Sequence, residues 1–334
     1  MKKSFVIVLC AIALVSSLFA QGSKEGSPFS ESPLFKEVKS MEVAALKGPT
    51  AMGMVELMDR AENGPVNGIE YSFRLEGAPD AIVPLLAKGD VDIACIPANL
   101  AAVVYNNTDK IQVVGINTLG VLYICQNGGD ALSSAEDLRG KTIYSAGKGS
   151  TPQYALETVL AGYGLEIGKD VFIEWKSEHA ECVAALIQNG DDGNCVAMLP
   201  QPFATTAMLQ NSGISIALDL NDLWQGLSGT PLVTGVTVVT KAFAEENPES
   251  VEQFLLDYAR SVEFVNSDLD AASLLIEKFG IIKAQVAKKA LPYCQIVLIT
   301  GDELRESLDV YLEALYSQNP KSVGGEVPGD AFYF

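Results

Sequence analysis

Two stretches of the chain carry the same features in the same order, and this internal repeat constrains the fold more than any other property of the sequence. In the first, Leu46-Lys47-Gly48-Pro49-Thr50-Ala51 closes an apolar run and leads into helical periodicity. In the second, Ala146-Gly147-Lys148-Gly149-Ser150-Thr151-Pro152 does the same. Further on, Leu86-Ala87-Lys88-Gly89-Asp90 precedes a run ending Ile96-Pro97-Ala98, and Ile187-Gln188-Asn189-Gly190-Asp191 precedes one ending Leu199-Pro200-Gln201-Pro202. The interval is 47 residues from Thr50 to Pro97 and 49 from Thr151 to Pro200. A chain built this way folds as two similar halves with their ligand-facing loops at equivalent sheet edges.

Within each half, short apolar runs alternate with helical patterns, the signature of an α/β layer with a mostly parallel sheet. VAALK, YSFRLEG, VDIACIPA and IQVVGIN read as strands of the first series, and LYICQNG follows them. KTIYSAG, VFIEWKS, NCVAMLPQ and ISIALDL read as strands of the second. QGLSGTP reads as a Gly-rich loop, LVTGVTVVT as a strand, and what remains, from Lys241 onward, as helical.

At the N-terminus, Lys2 and Lys3 precede an apolar run from Phe5 to Leu14 and the small-residue stretch ending at Ala20. This is the pattern of a secretory signal peptide over residues 1–20, followed by a Gly/Ser/Pro-containing tether over 21–39. Cys10 sits inside the apolar run after Leu9 rather than behind small residues, which disfavours a lipid anchor there. Removing Lys2 and Lys3 from the 23 basic residues leaves 21 against 42 acidic ones, a net charge of −21. That excess excludes a nucleic-acid footprint, which needs clustered basic side chains.

Five cysteines remain beyond the leader: Cys95, Cys125, Cys182, Cys195 and Cys294. None shows CxxC spacing and the chain has one His, so there is no zinc signature and no cofactor is expected. Cys182 and Cys195 flank a helix end, a Gly-Asp-Asp-Gly turn and a strand start, which makes them the candidate disulfide of an exported protein.

The matched turns are the candidate binding loops. At Gly48-Pro49-Thr50-Ala51 and Gly149-Ser150-Thr151 a strand stops and a helix begins, so helix-start amides and hydroxyls point outward together. Pro97, Ala98 and Asn99, with Pro200 and Gln201, stand at the ends of the paired strands, where the two amide side chains face the space between halves. Gly77 ends the YSFRLEG run, and Tyr123 and Trp224 supply candidate aromatic walls, Trp224 from a loop. His179, in SEHAEC, reads as an exposed first-turn residue, and no GxSxG elbow is present, so an enzyme is not expected.

The leader, the strand-Gly-Pro-Thr-helix opening, the Gly-Asp-Val-Asp-Ile-Ala segment ending Pro97-Ala98, its echo at Pro200-Gln201-Pro202, and the tail Gly324-Gly325-Glu326-Val327-Pro328-Gly329-Asp330-Ala331-Phe332-Tyr333 resemble substrate-binding proteins of ABC importers, in the nitrate, sulfonate and thiamine-precursor (NMT1/THI5-like) group. The resemblance implies a type II periplasmic-binding-protein fold, two doubly wound lobes joined by two crossover strands. On that template residues 40–125 and 236–334 form lobe one and residues 126–235 lobe two. It implies a monomer in the periplasm or at the exterior of the cell envelope that traps a small-molecule ligand, such as a heterocyclic vitamin precursor, and delivers it to an ABC permease in the inner membrane. The competing reading is an enzyme on the same fold acting on a thiamine-pyrimidine or menaquinone precursor. The five Arg residues, Arg60, Arg74, Arg139, Arg260 and Arg305, all lie outside the candidate turns, which disfavours nitrate or a sulfonate as ligand.

Overall fold

The structure, a computed structural model, describes residues 39–190 and 192–334; the expected signal peptide and all but the last residue of the tether lie outside the described residues. The chain opens with β1 (Lys39–Leu46), whose alternation buries Met41, Val43 and Ala45 on one face. It continues through α1 (Pro49–Met52), α2 (Val55–Ala61), β2 (Ile69–Glu76), α3 (Pro79–Lys88), β3 (Ile93–Pro97), α4 (Ala98–Thr108) and β4 (Ile111–Leu119). The chain then leaves this layer and builds a second one. That layer comprises β5 (Leu122–Asn127), β6 (Thr142–Ser145), α5 (Thr151–Gly162), β7 (Phe172–Trp175), α6 (His179–Asn189), β8 (Cys195–Pro200), α7 (Phe203–Gln210), β9 (Ile214–Asp219) and α8 (Leu220–Ser228). It returns as β10 (Val233–Thr240) and finishes with α9 (Lys241–Glu246), α10 (Pro248–Ser267), α11 (Leu269–Lys278), α12 (Ala284–Ala290), β11 (Ile296–Ile299) and α13 (Gly301–Gln318).

The strand orders are β11-β4-β10-β3-β1-β2 in the first sheet and β7-β6-β8-β5-β9 in the second. Read from β2 inward, β2-β1-β3-β10-β4 matches β7-β6-β8-β5-β9 position for position, so the sequence repeat is a repeat of topology. In each sheet the first three strands run parallel. The strand arriving from the other lobe, β10 or β5, runs antiparallel to both neighbours because it enters from the opposite end. Each sheet is therefore mixed rather than mostly parallel.

The lobe boundaries differ from the expected ones by a few residues. Leu122 to Gln126 pair with β8 in the second sheet, and Val233 and Gly235 pair within the first, so the crossings lie at Gly120–Val121 and just before Val233. Asn221 holds these crossings together. Its Oδ1 accepts the Leu232 N–H at 2.8 Å, and its Cβ lies 2.5 Å from where a Cβ on Gly120 would stand. No other residue type fits at Gly120 without displacing Asn221.

Two apolar clusters fill the outer faces, and a third runs through both lobes. It joins Ile96 and Ile116 of the first sheet to Ile124 and Met198 of the second, with Trp224 and Tyr311 between them. β11 falls in the region read as helical; its four residues owe their extended form to antiparallel pairing with β4.

The expected Cys182–Cys195 disulfide is absent: both thiols are free. Cys182 lies in the first turn of α6 and points at its own helix, 3.7 Å from the Glu178 carbonyl. Cys195 begins β8 beside the far end of α6, accepting from the Tyr144 hydroxyl at 3.5 Å, and that hydroxyl accepts from Asn189 at 3.3 Å. From Cys182 to Asn189 the helix rises about 10 Å, far beyond the ~4 Å between Cβ atoms that a disulfide spans.

Candidate functional site

Because both sheets present their parallel strands the same way, the ends of β3, β6, β7 and β8 converge between the lobes. There they enclose a cavity of about 410 Å³. Pro97, Asn99 and Leu100 line it from the first lobe, Ser150, Thr151, Pro152, His179 and Pro200 from the second, and Val121, Leu122 and Thr234 from beside the crossings. Among the described residues, no Lys, Arg, Asp or Glu stands in this wall.

Of the residues expected to bind, Pro97, Asn99, Ser150, Thr151 and Pro200 are brought together at the cavity. The matched turn of the first lobe is not. Thr50, in the four-residue helix α1, donates from Oγ1 to the Leu46 carbonyl at 2.9 Å, so the hydroxyl turns back onto the end of β1. Its methyl lies over β10, 2.8 Å from where a Cβ on Gly235 would stand, a close approach that requires the glycine. Pro49 starts this same helix, Ala51 is fully buried in the first-lobe core, and Gly77 is exposed beyond β2. Ala98 is buried as the first residue of α4, and the Gly149 N–H is taken by Gln153 Oε1 at 2.7 Å. Gln201 is buried, its Oε1 accepting from the Thr205 hydroxyl of α7 at 2.8 Å, and it is not among the residues of the cavity wall.

The aromatic candidates are core residues. Tyr123 is 2% exposed and its hydroxyl donates to the Tyr293 carbonyl at 2.7 Å. Trp224 is 1% exposed and sits on a helix, not a loop. The Asp219 side chain accepts the Asn221 N–H at 2.8 Å and starts α8, whose inner face buries Leu220 and Trp224. The Trp224 ring packs on Tyr311 with centroids 6.0 Å apart, joining the second lobe to α13, which lies on the first sheet.

Leu100, Val121, Leu122, Pro152, Thr234 and His179 line the cavity without having been expected there, and His179 is the titratable one. His179 is half-buried and rests on Phe203 with ring centroids 5.2 Å apart. Its Nδ1 is buried without a partner, and burial lowers its pKa, so the imidazole is neutral at neutral pH. Its position was legible all the same: it follows a strand of the parallel set and opens a helix, as Thr151 does.

The lobes are tied on both sides of the cavity. Thr151 Oγ1 lies 3.3 Å from Asn99 Oδ1 and 2.9 Å from the Tyr311 hydroxyl. Beyond it, Asn319 Nδ2 donates to the Tyr154 hydroxyl at 3.0 Å, and Gln318 Nε2 to the Tyr154 carbonyl at 3.1 Å. On the other side Gln295 Nε2 approaches Asp219 Oδ2 at 3.4 Å, beside the Tyr123–Tyr293 bond. Among the described residues no group of His, Cys, Asp and Glu could hold a metal ion, and no helix is long and apolar enough to cross a membrane.

Two lobes of repeated strand order, two crossings and a cavity between them define the periplasmic-binding-protein fold. A structure of an ABC transporter from Parabacteroides distasonis matches with a TM-score of 0.75 at 22% identity, covering 89% of this chain and 99% of that one. The periplasmic aliphatic sulphonate binding protein SsuA from Escherichia coli matches at 0.67 and 18% identity, over 87% of this chain and 97% of that one. The Candida albicans CA3427 gene product, described as having the generic periplasmic binding protein structural fold, matches at 0.53 and 15%, over 88% and 99%. No curated protein matches the sequence at a significant level. The chain belongs to the NMT1-like family, which matches residues 67–278.

Proposed function

We propose that this chain is the exported solute-binding component of an ABC importer and that it traps a small organic solute between its lobes. The observation that carries the reading is the interlobe cavity, about 410 Å³ with a wall free of formal charge. That volume is within the ~300–1,000 Å³ of typical small-molecule sites. The family membership, the named relatives and the leader sequence support the same role, with a monomer working in the periplasm and handing its solute to a membrane permease. A neutral, zwitterionic or cationic solute, such as a heterocyclic vitamin precursor, suits this wall better than the sulphonate named for the relative from Escherichia coli.

The test is thermal melting of the mature chain against a panel of small solutes. A ligand of the native state stabilises by RT ln(1 + [L]/Kd), about 2.7 kcal/mol at a hundredfold excess over Kd. The expected result is a concentration-dependent rise in Tm that disappears in Leu100→Trp, which fills the cavity. A rise of the same size in that variant would remove the cavity from the account.

A further inference from the structure

We propose that the solute presents hydrogen-bond donors to this cavity, as amine, amidine or ring N–H groups on an otherwise apolar body; this rests on the solute-binding reading above and narrows it to a chemical class.

Ser150 Oγ donates to the Gly147 carbonyl at 2.7 Å. Thr234 Oγ1 donates to the Leu119 carbonyl at 2.5 Å, with the Thr118 carbonyl at 3.3 Å. A carbonyl oxygen only accepts, so both hydroxyl protons are committed and each oxygen has only lone pairs left for a solute. Thr151 is equally spent, since its proton goes to Asn99 Oδ1 or to the Tyr311 oxygen. Of the Asn99 amide, one N–H reaches the Ser322 carbonyl at 3.4 Å and the other is the single side-chain amide donor in the wall. His179, kept neutral by burial, adds no charge, and its buried Nδ1 leaves Nε2 as the ring nitrogen that can meet a solute.

At the start of α5 the backbone leaves the Thr151 N–H for an anion. In the first turn of α5, Pro152 has no N–H and the Gln153 N–H is taken by the Ser150 carbonyl at 3.0 Å. An oxyanion stripped of water needs several donors or a guanidinium, and among the described residues this wall has no Arg or Lys. The remaining surface, from Pro97, Leu100, Val121, Leu122, Pro152 and Pro200, is apolar and suits a ring or chain. The net charge of −19 draws cations toward the protein at long range and repels anions.

Two matched pairs of probes test this by titration calorimetry on the mature chain: benzamidine against benzenesulfonate, and aniline against N,N-dimethylaniline. Each pair keeps the ring and changes the hydrogen-bonding group. The donor of each pair is expected to bind at least about tenfold more tightly, and Ser150→Ala or Thr234→Val to weaken it by about tenfold, with Thr234→Ser restoring it. Circular dichroism and melting confirm that each variant folds. Tighter binding of benzenesulfonate, abolished by Leu100→Trp, would overturn the inference and leave the solute-binding reading standing. Should none of the four bind, the solute that co-purifies with the protein decides: N–H donors support the inference and their absence contradicts it. A protein that binds no probe and carries no solute would remove the solute-binding reading itself.

Discussion

Thr151 Oγ1 donates to Asn99 Oδ1 at 3.3 Å while the Tyr311 hydroxyl stands 2.9 Å away, so one hydroxyl of the second lobe meets two elements of the first. The contact lies in the cavity wall, so a solute held there would touch both lobes beside it. Thr151→Val keeps the shape and removes the oxygen. It leaves the fully buried Tyr311 hydroxyl without its partner, at a cost of about 1–3 kcal/mol. Urea unfolding should show that loss, and Thr151→Ser should recover most of it. An unchanged midpoint in Thr151→Val would mean that the contact contributes nothing to stability.

Trp224 reports on the same interface from the core. Its ring meets Tyr311 across the lobes at 6.0 Å and is 1% exposed, so parting of the lobes wets it. In a Trp175→Phe background, where Trp224 is the remaining tryptophan, solute binding should shift emission to shorter wavelength. Binding seen by calorimetry with an unchanged spectrum would contradict closure at this contact.

Asp219 gives the interface a pH dependence. Burial raises its pKa to about 6, against the helix-start amide of Asn221, which lowers it. A carboxyl raised above its unfolded value of 3.8 adds stability that is full below that value and lost as pH rises through about 6. Asp219→Asn retains a capping side chain and removes the buried charge. It should therefore be more stable than the parent at pH 7.5, by roughly 1–2 kcal/mol after solvent screening, with the difference shrinking toward pH 4. Melting at the two pH values checks this; a variant less stable at both would show that the carboxylate is needed as an ion.

The thiols provide a test of the unpaired cysteines. Cys95, Cys125, Cys182 and Cys294 are buried, and burial pushes Cys95 and Cys182 up to about 11 and Cys125 and Cys294 up to about 12. Cys195 is half-buried. A thiol reagent should modify Cys195 alone in the native protein and all five in urea. A denatured count lower by two would restore the Cys182–Cys195 bond.

What was legible in the sequence was what local spacing determines. The matched Thr50–Pro97 and Thr151–Pro200 intervals named the two lobes, and the strand-end turns at Pro97, Asn99, Ser150, Thr151 and Pro200 reached the cavity. What was illegible depends on partners distant in the chain. Thr50 has the same local setting as Thr151, but its hydroxyl turns back to Leu46 and Gly235 lets it settle on β10. The glycines near Trp224 imitate a loop; the Asp219 cap and the burial of Leu220 and Trp224 make a helix, which ends at Gly229 with φ 80°. β11 is four residues that only β4 makes into a strand. The crossings at Gly120–Val121 and before Val233 lie within apolar runs that look alike on either side of the true boundary, and Asn221 decides where the chain passes over.

The central claim is that the cavity between the lobes carries a solute. Native mass spectrometry of the mature protein purified from its own cells tests it directly. The account predicts one unmodified, noncovalent small organic molecule per chain, bearing N–H donors, lost on gentle activation and missing from Leu100→Trp. A protein that arrives empty, or whose bound mass survives in Leu100→Trp, would contradict it.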